Sequence, residues 1–192
     1  MKKVAIYGGS FNPIHIGHLA LANYICEWGW ADEVWFLVSP QNPLKKNDEL
    51  LSDKNRLQLV KEAIEEYSRF KVSDIEFHLS KPSYTIHTLK ALKAQHPDLI
   101  FSLLIGADNW KIIDRWKEYK RIIEENEILI YPRAECPIEH SDLPENIHLI
   151  PAPILEISST EIRQAFKKGK KPIYFLHSKV YKLIRERGWY QE

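Results

Sequence analysis

The chain has few of the residues that mark disulfide-bonded and membrane-spanning proteins. Its 192 residues include two cysteines, Cys26 and Cys136, which lack the CxxC spacing of a redox or metal motif. Such cysteines indicate free thiols in a reducing compartment. No apolar run approaches the roughly 20 residues that span a bilayer, and no apolar leader precedes the first predicted strand. We therefore expect a soluble, cytoplasmic protein.

An excess of charge of one sign is also missing. Lysine and arginine number 27, aspartate and glutamate number 26, and the formal net charge is +1. Without an overall electric field, neither nucleic acid nor an anionic membrane is an expected partner. The GxSxG motif of a serine nucleophile is absent from the sequence as well. Any anion-binding site therefore has to depend on the groups around it rather than on the overall charge of the chain.

The apolar content suffices for one folded domain, because 44% of the residues are hydrophobic and 28% are charged. Short apolar runs typical of buried strands alternate with longer stretches of helical periodicity. The predicted strands are 4–7, 33–38, 70–73, 99–105, 128–131 and 147–150, with an extended segment at 75–79. The predicted helices are 16–28, 53–67, about 85–96 and 174–187, with short helices within 109–125 and a further helix start near 158.

This alternation predicts an α/β fold with a doubly wound parallel sheet, since parallel strands are joined by right-handed helical crossovers. In such sheets, ligands bind beyond the carboxyl ends of the strands, at the point where strand order reverses. The run 99–105 has the composition of a central strand, and Gly106 and Asp108 follow its end. We expect part of the functional site there.

The segment VAIYGGSFNPIHIGH, residues 4–18, has the pattern of a strand, a glycine turn and a helix start. Gly8 and Gly9 would let the backbone turn sharply and bring its N–H groups close to a ligand. A helix beginning near Ile16 would offer unsatisfied amides and a positive dipole end, with His15 and His18 on one side of its first turn. The segment predicts an anion site. A glycine pair alone is equally consistent with turn geometry, and zinc is disfavoured because the turn has no third ligand and no HExxH glutamate.

A second candidate phosphate site lies in the segment SSTEIR. Ser158 and Glu161 have the SxxE spacing of a capping box, which predicts a helix start with hydroxyls and free amides at its N-terminus. Arg163 follows near the first turn. A capping box alone is a structural device, so a functional interpretation requires this segment to lie beside the first motif.

Together these motifs resemble those of a known family. HxGH after a strand and a glycine pair resembles the signature of the nucleotidyltransferase superfamily, and GGSFNPIHIGH is similar to the string of bacterial nicotinate mononucleotide adenylyltransferases. ISSTEIR resembles the superfamily's second phosphate motif, the counterpart of KMSKS in class I aminoacyl-tRNA synthetases. Further matches are NPLK at 42–45, SYTI at 83–86 and GAD at 106–108, whereas His87 stands where an acid is expected. The resemblance implies a Rossmann-like fold with one domain, 1–192, and a small helical portion from about 158.

The resemblance also implies a reaction. AMP would pass from ATP to nicotinate mononucleotide, giving nicotinate adenine dinucleotide and pyrophosphate in NAD biosynthesis. Mg²⁺ would be carried on the ATP phosphates with no dedicated metal ligand in the protein. No covalent nucleophile is required, because the attacking phosphate is already ionised near neutral pH. The sequence is compatible with a homo-oligomer. It has no obvious spare apolar face, however, that would predict an interface between subunits.

The implied site residues fall into three groups. The catalytic group contacts the triphosphate and consists of His15, His18 and Arg163. The group that binds the rest of ATP consists of Gly8, Gly9, Ser10, Phe11, Gly106, Asp108, Ser159 and Thr160. The group that binds the acceptor nucleotide consists of Lys45, Tyr84, Thr85, Trp116 and Arg133. From composition alone, Trp116 would be a core residue and Lys45 a solvated loop residue.

Other functions remain open at this point. One is nucleotidyl transfer to another phosphorylated acceptor, such as phosphopantetheine or an alcohol phosphate, but those families have an acid after the aromatic residue where this chain has Asn12. Another is a nucleotide-sensing module that binds ATP or NAD without turnover. An aminoacyl-tRNA synthetase is disfavoured because the chain has no room for an anticodon-binding domain.

Overall fold

A computed structural model of the protein describes residues 1–40, 50–138 and 143–191. The strands are β1 Lys2–Gly9, β2 Glu33–Val38, β3 Phe70–Ser73, β4 Leu99–Gly106, β5 Glu127–Tyr131 and β6 Ile147–Leu149. The helices are α1 Ile16–Glu27, α2 Asp53–Ile64, α3 Thr85–Gln95, α4 Ala107–Trp110, α5 Tyr119–Glu125, α6 Ser159–Lys167 and α7 Ser178–Arg187. None of the helices in the described ranges is long and apolar enough to cross a membrane.

The strands form one parallel sheet in the order β3-β2-β1-β4-β5-β6. From β1 the chain adds β2 and β3 on one side, then crosses to β4 and adds strands on the other side. The predicted doubly wound α/β fold is therefore confirmed. Strand order reverses between β1 and β4, so the carboxyl ends of these two strands flank the crevice where such folds bind ligands.

Apolar layers cover both faces of the sheet. Successive side chains of β1 point to opposite faces: Ala5 and Tyr7 belong to one apolar cluster, Val4 and Ile6 to another, and all four are at most 5% exposed. A strand buried on both faces needs an unbroken apolar run rather than an alternating one. This requirement explains why the strands are recognisable in the sequence.

Two differences between the predicted elements and the structure lie at residues 75–79 and at the start of the last helix. Residues 75–79 were expected to be extended, but Ile75–His78 is a 3₁₀ helix. The amide of Phe77 donates to the carbonyl of Asp74 at 2.8 Å, so the chain turns as soon as it leaves the edge strand β3. The last helix begins at Ser178 rather than near residue 174, because buried Leu176 is extended and separates α7 from the 3₁₀ turn Ile173–Phe175.

Candidate active site

A cleft of about 540 Å³ opens beyond the carboxyl ends of β1 and β4. It lies where the strand order reverses. Lys45 lies outside the described residues. The other predicted site residues all line this cleft: Gly8, Gly9, Ser10, Phe11, His15, His18, Tyr84, Thr85, Gly106, Asp108, Trp116, Arg133, Ser159, Thr160 and Arg163.

The glycine pair does not form the turn that the sequence suggested. Both glycines belong to β1, where Gly8 pairs with Leu37 and Gly9 pairs with Val38. The turn comes at Phe11, which has a φ of 45° in the left-handed region. A Cβ on Gly9 would lie 3.0 Å from the Phe11 ring, whereas one on Gly8 would meet no atom within 4 Å. A side chain at position 9 would therefore require the Phe11 ring to shift, whereas Gly8 leaves space at the strand end.

The two histidine rings lie against each other at the start of α1, with their planes tilted by 31°. Their ring centroids are 3.7 Å apart, and the backbone N–H of His15 donates to Nδ1 of His18 at 3.2 Å. Because Nδ1 of His18 accepts this bond, the neutral ring carries its proton on Nε2, the tautomer that donates from that atom. The Phe11 ring packs against His18 at a centroid distance of 5.1 Å. The buried turn at Phe11 thus supports the orientation of the imidazole.

His15 is held in the neutral form. Its side chain is buried, and burial together with the positive charge of Arg133 lowers its pKa to about 4. Nδ1 of His15 has no hydrogen-bond partner among the described residues. A Cβ on Gly17 would lie 3.1 Å from the His15 ring, so glycine at that position makes room for the imidazole.

The N-terminus of α6 lies against the loop that precedes α1. Ser158 and Glu161 form the predicted capping box, with the Glu161 amide donating to Ser158 Oγ at 3.1 Å. Ser159 Oγ donates to the carbonyl of Pro13 at 2.9 Å, and Arg163 Nη1 donates to the carbonyl of Asn12 at 3.0 Å. The capping box and the approach of the two motifs are therefore both present. The guanidinium and the histidine pair face one cleft.

An ion pair occupies the ends of β4 and β5. Arg133 Nε lies 3.6 Å from Asp108 Oδ1, and Arg133 Nη2 donates to the hydroxyl of Tyr131 at 3.1 Å. A Cβ on Gly106 would overlap the Asp108 carboxylate and approach the Tyr131 ring. Glycine at this strand end therefore permits the carboxylate to fold back towards the guanidinium. Sequence reasoning assigned Asp108 and Arg133 to different substrates, but the structure pairs them.

A third part of the cleft is formed by the start of α3 and the turn after α4. Tyr84 is the N-cap residue of α3, and Trp116 follows the 3₁₀ turn Ile113–Arg115; both pack against the same apolar cluster. Lys117 Nζ lies 4.7 Å from the centroid of the Tyr84 ring. His87, the departure from the family pattern, packs edge-on against that ring at 5.7 Å. This part of the cleft combines aromatic surface with a cation.

Several cleft residues were missed by sequence reasoning. Glu76 lies on the 3₁₀ helix that was taken for an extended segment, and Thr88 Oγ1 donates to its Oε1 at 2.9 Å. Burial raises the pKa of Glu76. No local motif marks this pair, because the contact spans two elements. The other missed polar residues are Tyr7, Asn12, Ser39, Ser83, Asn109, Arg115, Lys117 and Tyr131.

Comparison with a family model identifies the class of protein to which the chain belongs. The family model described as cytidylyltransferase-like matches residues 6–165, a span that contains both the HIGH and the ISSTEIR segments. With the parallel sheet and the cleft at its switch point, this match defines the chain as a nucleotidyltransferase of that class.

Individual relatives identify one family within this class. A probable nicotinate-nucleotide adenylyltransferase of Bacteroides fragilis is 58% identical over 182 residues, covering 95% of this chain and 90% of the relative. One of Flavobacterium johnsoniae is 45% identical and covers 99% of this chain and 100% of the relative. The solved structure of Plasmodium falciparum nicotinic acid mononucleotide adenylyltransferase complexed with NaAD has a TM-score of 0.84 at 27% identity, covering 99% of this chain and 98% of that one. The chain belongs to the nicotinate-nucleotide adenylyltransferase family.

Proposed function

We propose that the chain transfers AMP from ATP to nicotinate mononucleotide and thereby forms nicotinate adenine dinucleotide for NAD biosynthesis. The observation that carries the proposal is the junction of the two motifs. Arg163 and Ser159 bond to the carbonyls of Asn12 and Pro13, next to the histidine pair. One triphosphate can therefore reach groups that are some 150 residues apart in the chain. The names of the relatives support the choice of acceptor.

The reaction exchanges one phosphorus–oxygen bond for another. An oxygen of the acceptor's 5′-phosphate attacks the α-phosphorus of ATP, the bond from the α-phosphorus to the bridging oxygen breaks, and pyrophosphate leaves with that electron pair. The attacking oxygen is already ionised, so the protein has no proton to remove before attack. Its task is to align two polyanions and to stabilise the charge on the transferring and leaving oxygens.

The histidine pair and α6 would bind the triphosphate from two sides. His18 would donate from Nε2 to an α-phosphate oxygen, and neutral His15 would add a hydrogen bond rather than a charge. Arg163, anchored through Asn12, would place its guanidinium on the β- and γ-phosphates. Ser159 and Thr160 lie at the positive end of the α6 dipole and would contribute backbone amide donors, with the Thr160 hydroxyl as a further donor, since the Ser159 hydroxyl already donates to Pro13.

The remaining ATP groups would contact the ends of β1 and β4. The backbone from Gly8 to Phe11 would follow the phosphates along the open edge left by the glycine pair. Asp108 would accept hydrogen bonds from the ribose hydroxyls, with Gly106 giving it room. Arg133 would hold the carboxylate in place through their ion pair. This assigns Arg133 to positioning Asp108, in addition to its proposed place near the acceptor.

Mg²⁺ would arrive bound to the nucleotide. Among residues 1–40, 50–138 and 143–191, no group of three or more histidine, cysteine or acidic side chains could hold a metal ion. Mg²⁺ prefers phosphate oxygens and water to an all-protein cage. When bound to ATP, the ion would neutralise part of the triphosphate charge. The protein groups would then bind the remaining phosphate oxygens.

The acceptor would bind at the start of α3. Trp116 would stack on the pyridine ring, and Tyr84 and Thr85 would line the same pocket. Lys45 lies outside the described residues. It is included in the proposal only because the family resemblance assigns it to a substrate phosphate. We place the reaction in the cytoplasm, where the free thiols of Cys26 and Cys136 would stay reduced.

One assay tests the proposal directly. Purified protein is incubated with ATP, Mg²⁺ and either nicotinate mononucleotide, nicotinamide mononucleotide or phosphopantetheine, and pyrophosphate release is measured. We expect the highest kcat/KM with nicotinate mononucleotide. Turnover of phosphopantetheine alone would replace the proposal by the alternative acceptor. ATP binding without pyrophosphate release from any acceptor would indicate a nucleotide-sensing module.

A further inference from the structure

Tyr190 lies in the turn after α7 and contacts the loop that precedes α1. Its hydroxyl donates at 2.7 Å to Oδ1 of Asn12, a residue 178 positions earlier in the chain. The backbone N–H of Leu51 donates to the same oxygen at 3.2 Å, and Asn12 is only 3% exposed. Because burial raises the pKa of Tyr190, the hydroxyl keeps its proton and acts as the donor. The Asn12 side chain is therefore held by donors from two distant segments.

The ring of Tyr190 contacts α6, the helix that carries Arg163. It stacks on Phe166, with the ring centroids 6.4 Å apart and the planes tilted by 28°. Phe166 is buried and follows Arg163 by three residues, which is close to one helical turn. One side chain thus touches both segments that form the proposed triphosphate site, since its ring packs on α6 and its hydroxyl bonds to the loop before α1.

The backbone of Tyr190 has an unfavourable conformation. Its φ is 62°, in the left-handed region that residues with a Cβ rarely adopt. Residues in sparsely populated backbone regions persist where surrounding contacts determine their conformation, and such residues cluster at functional sites. The contacts with Phe166 and Asn12 supply this restraint, so the direction of the tyrosine side chain is fixed by its surroundings.

Asn12 connects Tyr190 to the groups that would bind the triphosphate. Its backbone carbonyl accepts the 3.0 Å hydrogen bond from Arg163 Nη1. A held side chain restricts the rotation of its own backbone, and hence the direction of this carbonyl. Loss of the tyrosine hydroxyl would remove one restraint on Asn12, and the guanidinium anchored to it would shift relative to the phosphates. Small misplacements of binding groups lower the rate of a reaction that depends on alignment.

We propose that Tyr190 is a positioning residue for the triphosphate site, acting through Asn12 on the guanidinium of Arg163. This inference rests on the proposed function. Tyr190 is not among the described residues that line the cleft, so no direct contact with the nucleotide is expected. Its effect on the reaction should therefore require Arg163, because without the guanidinium the hydroxyl has no binding group to position.

The test combines two matched tyrosine substitutions with a double-mutant cycle. Tyr190→Phe removes the hydroxyl and retains the ring on Phe166. Tyr181→Phe is the control, because Tyr181 stacks on the same Phe166 ring at 6.0 Å and is not among the described residues that line the cleft. Each substitution is made alone and together with Arg163→Ala. The readouts are kcat and KM for ATP in pyrophosphate release, at a temperature at which urea denaturation shows every variant to be folded.

The expected results differ between the two backgrounds. Tyr190→Phe alone should lower kcat/KM for ATP by about tenfold, and Tyr181→Phe should change it by less than about twofold. In the Arg163→Ala protein, adding Tyr190→Phe should cost less than about twofold, because the residue on which the hydroxyl acts is already truncated. A merely structural role would not produce this dependence on Arg163.

Two kinetic outcomes overturn the inference. One is a kcat/KM for Tyr190→Phe within about twofold of the unsubstituted protein, and the other is an equal loss with and without Arg163. If the unsubstituted protein releases no pyrophosphate with any of the three acceptors, the proposed function fails, and calorimetric titration with ATP decides on Tyr190. An equal Kd for ATP in Tyr190→Phe and the unsubstituted protein, or no ATP binding by either, would then exclude the positioning role.

Discussion

Ser159 donates a 2.9 Å hydrogen bond from Oγ to the carbonyl of Pro13, a residue 146 positions earlier in the chain. This bond joins the start of α6 to the loop before α1, and the guanidinium of Arg163 makes a second bond to the neighbouring Asn12 carbonyl. Both acceptors are backbone groups, so the contact depends on the course of the chain rather than on another side chain. The geometry of the proposed triphosphate site consequently depends on how these two segments pack.

Ser159→Ala removes the hydroxyl and leaves the Pro13 carbonyl without this donor. We expect the free energy of unfolding to fall by about 1 kcal/mol, the usual contribution of one such bond. The apparent KM for ATP should rise as well, because the two segments that form the proposed phosphate site lose a restraint. Urea denaturation and steady-state kinetics measure the two effects. Ser68→Ala, at an exposed serine that does not line the cleft, is the control; equal losses in both variants would contradict the role assigned to the Ser159 bond.

His18→Ala should leave the fold intact and reduce catalysis. Nε2 of His18 is the proposed donor to the α-phosphate, and loss of one such donor costs about 100- to 1,000-fold in rate. Single-turnover pyrophosphate release measures the chemical step. His78→Ala is a suitable control, because that side chain is 73% exposed and does not line the cleft. A near-normal rate in His18→Ala would remove this imidazole from the mechanism.

The neutral state of His15 predicts a dependence of stability on pH. Its pKa is about 4 in the folded protein, below the usual value of 6.5, so the unfolded chain binds the proton more readily. The stabilisation is present above pH 6.5 and is lost as the pH falls towards 4. From the size of this shift, the loss is on the order of 3 kcal/mol. Urea denaturation at pH 7 and pH 4.5 should show a smaller change in His15→Gln than in the unsubstituted protein. An identical change would exclude His15 as the source.

Gly8 and Gly9 should respond differently to substitution by alanine. A Cβ at position 9 would lie 3.0 Å from the Phe11 ring, whereas the space around position 8 is open. We expect Gly9→Ala to lower the free energy of unfolding by about 1–3 kcal/mol, as in other overpacked cores. Gly8→Ala should have a much smaller effect on stability. Thermal or urea denaturation of the two variants makes the comparison, and equal stability would show that the Phe11 ring moves aside without cost.

The sheet and the cleft were predictable because the sequence patterns that indicate them lie within short segments of the chain. A strand buried on both faces requires a continuous apolar run, as at Leu99–Gly106, and βαβ handedness then restricts the order of the strands. The capping box at Ser158 was recognisable for the same reason, since its two partners are three residues apart.

Features that depend on contacts across the chain were not predictable. Glycine permits a turn without requiring one, so the sequence does not show that Phe11 turns instead of Gly9. The pairing of Asp108 with Arg133 joins the ends of two strands, and Glu76 meets Thr88 only after the intervening chain has folded. The pKa of His15 likewise depends on burial and on Arg133, which no local pattern brings together.

The packing of Gly9 against Phe11 has a consequence for how this protein can diverge in sequence. The ring occupies the volume that a side chain at position 9 would need, so a larger residue there becomes tolerable only with a smaller one at position 11. Phe11 also touches the imidazole of His18, so such a paired exchange would change the packing of the proposed phosphate donor. Positions 9 and 11 are therefore expected to co-vary as one unit, and a change at either alone should be selected against.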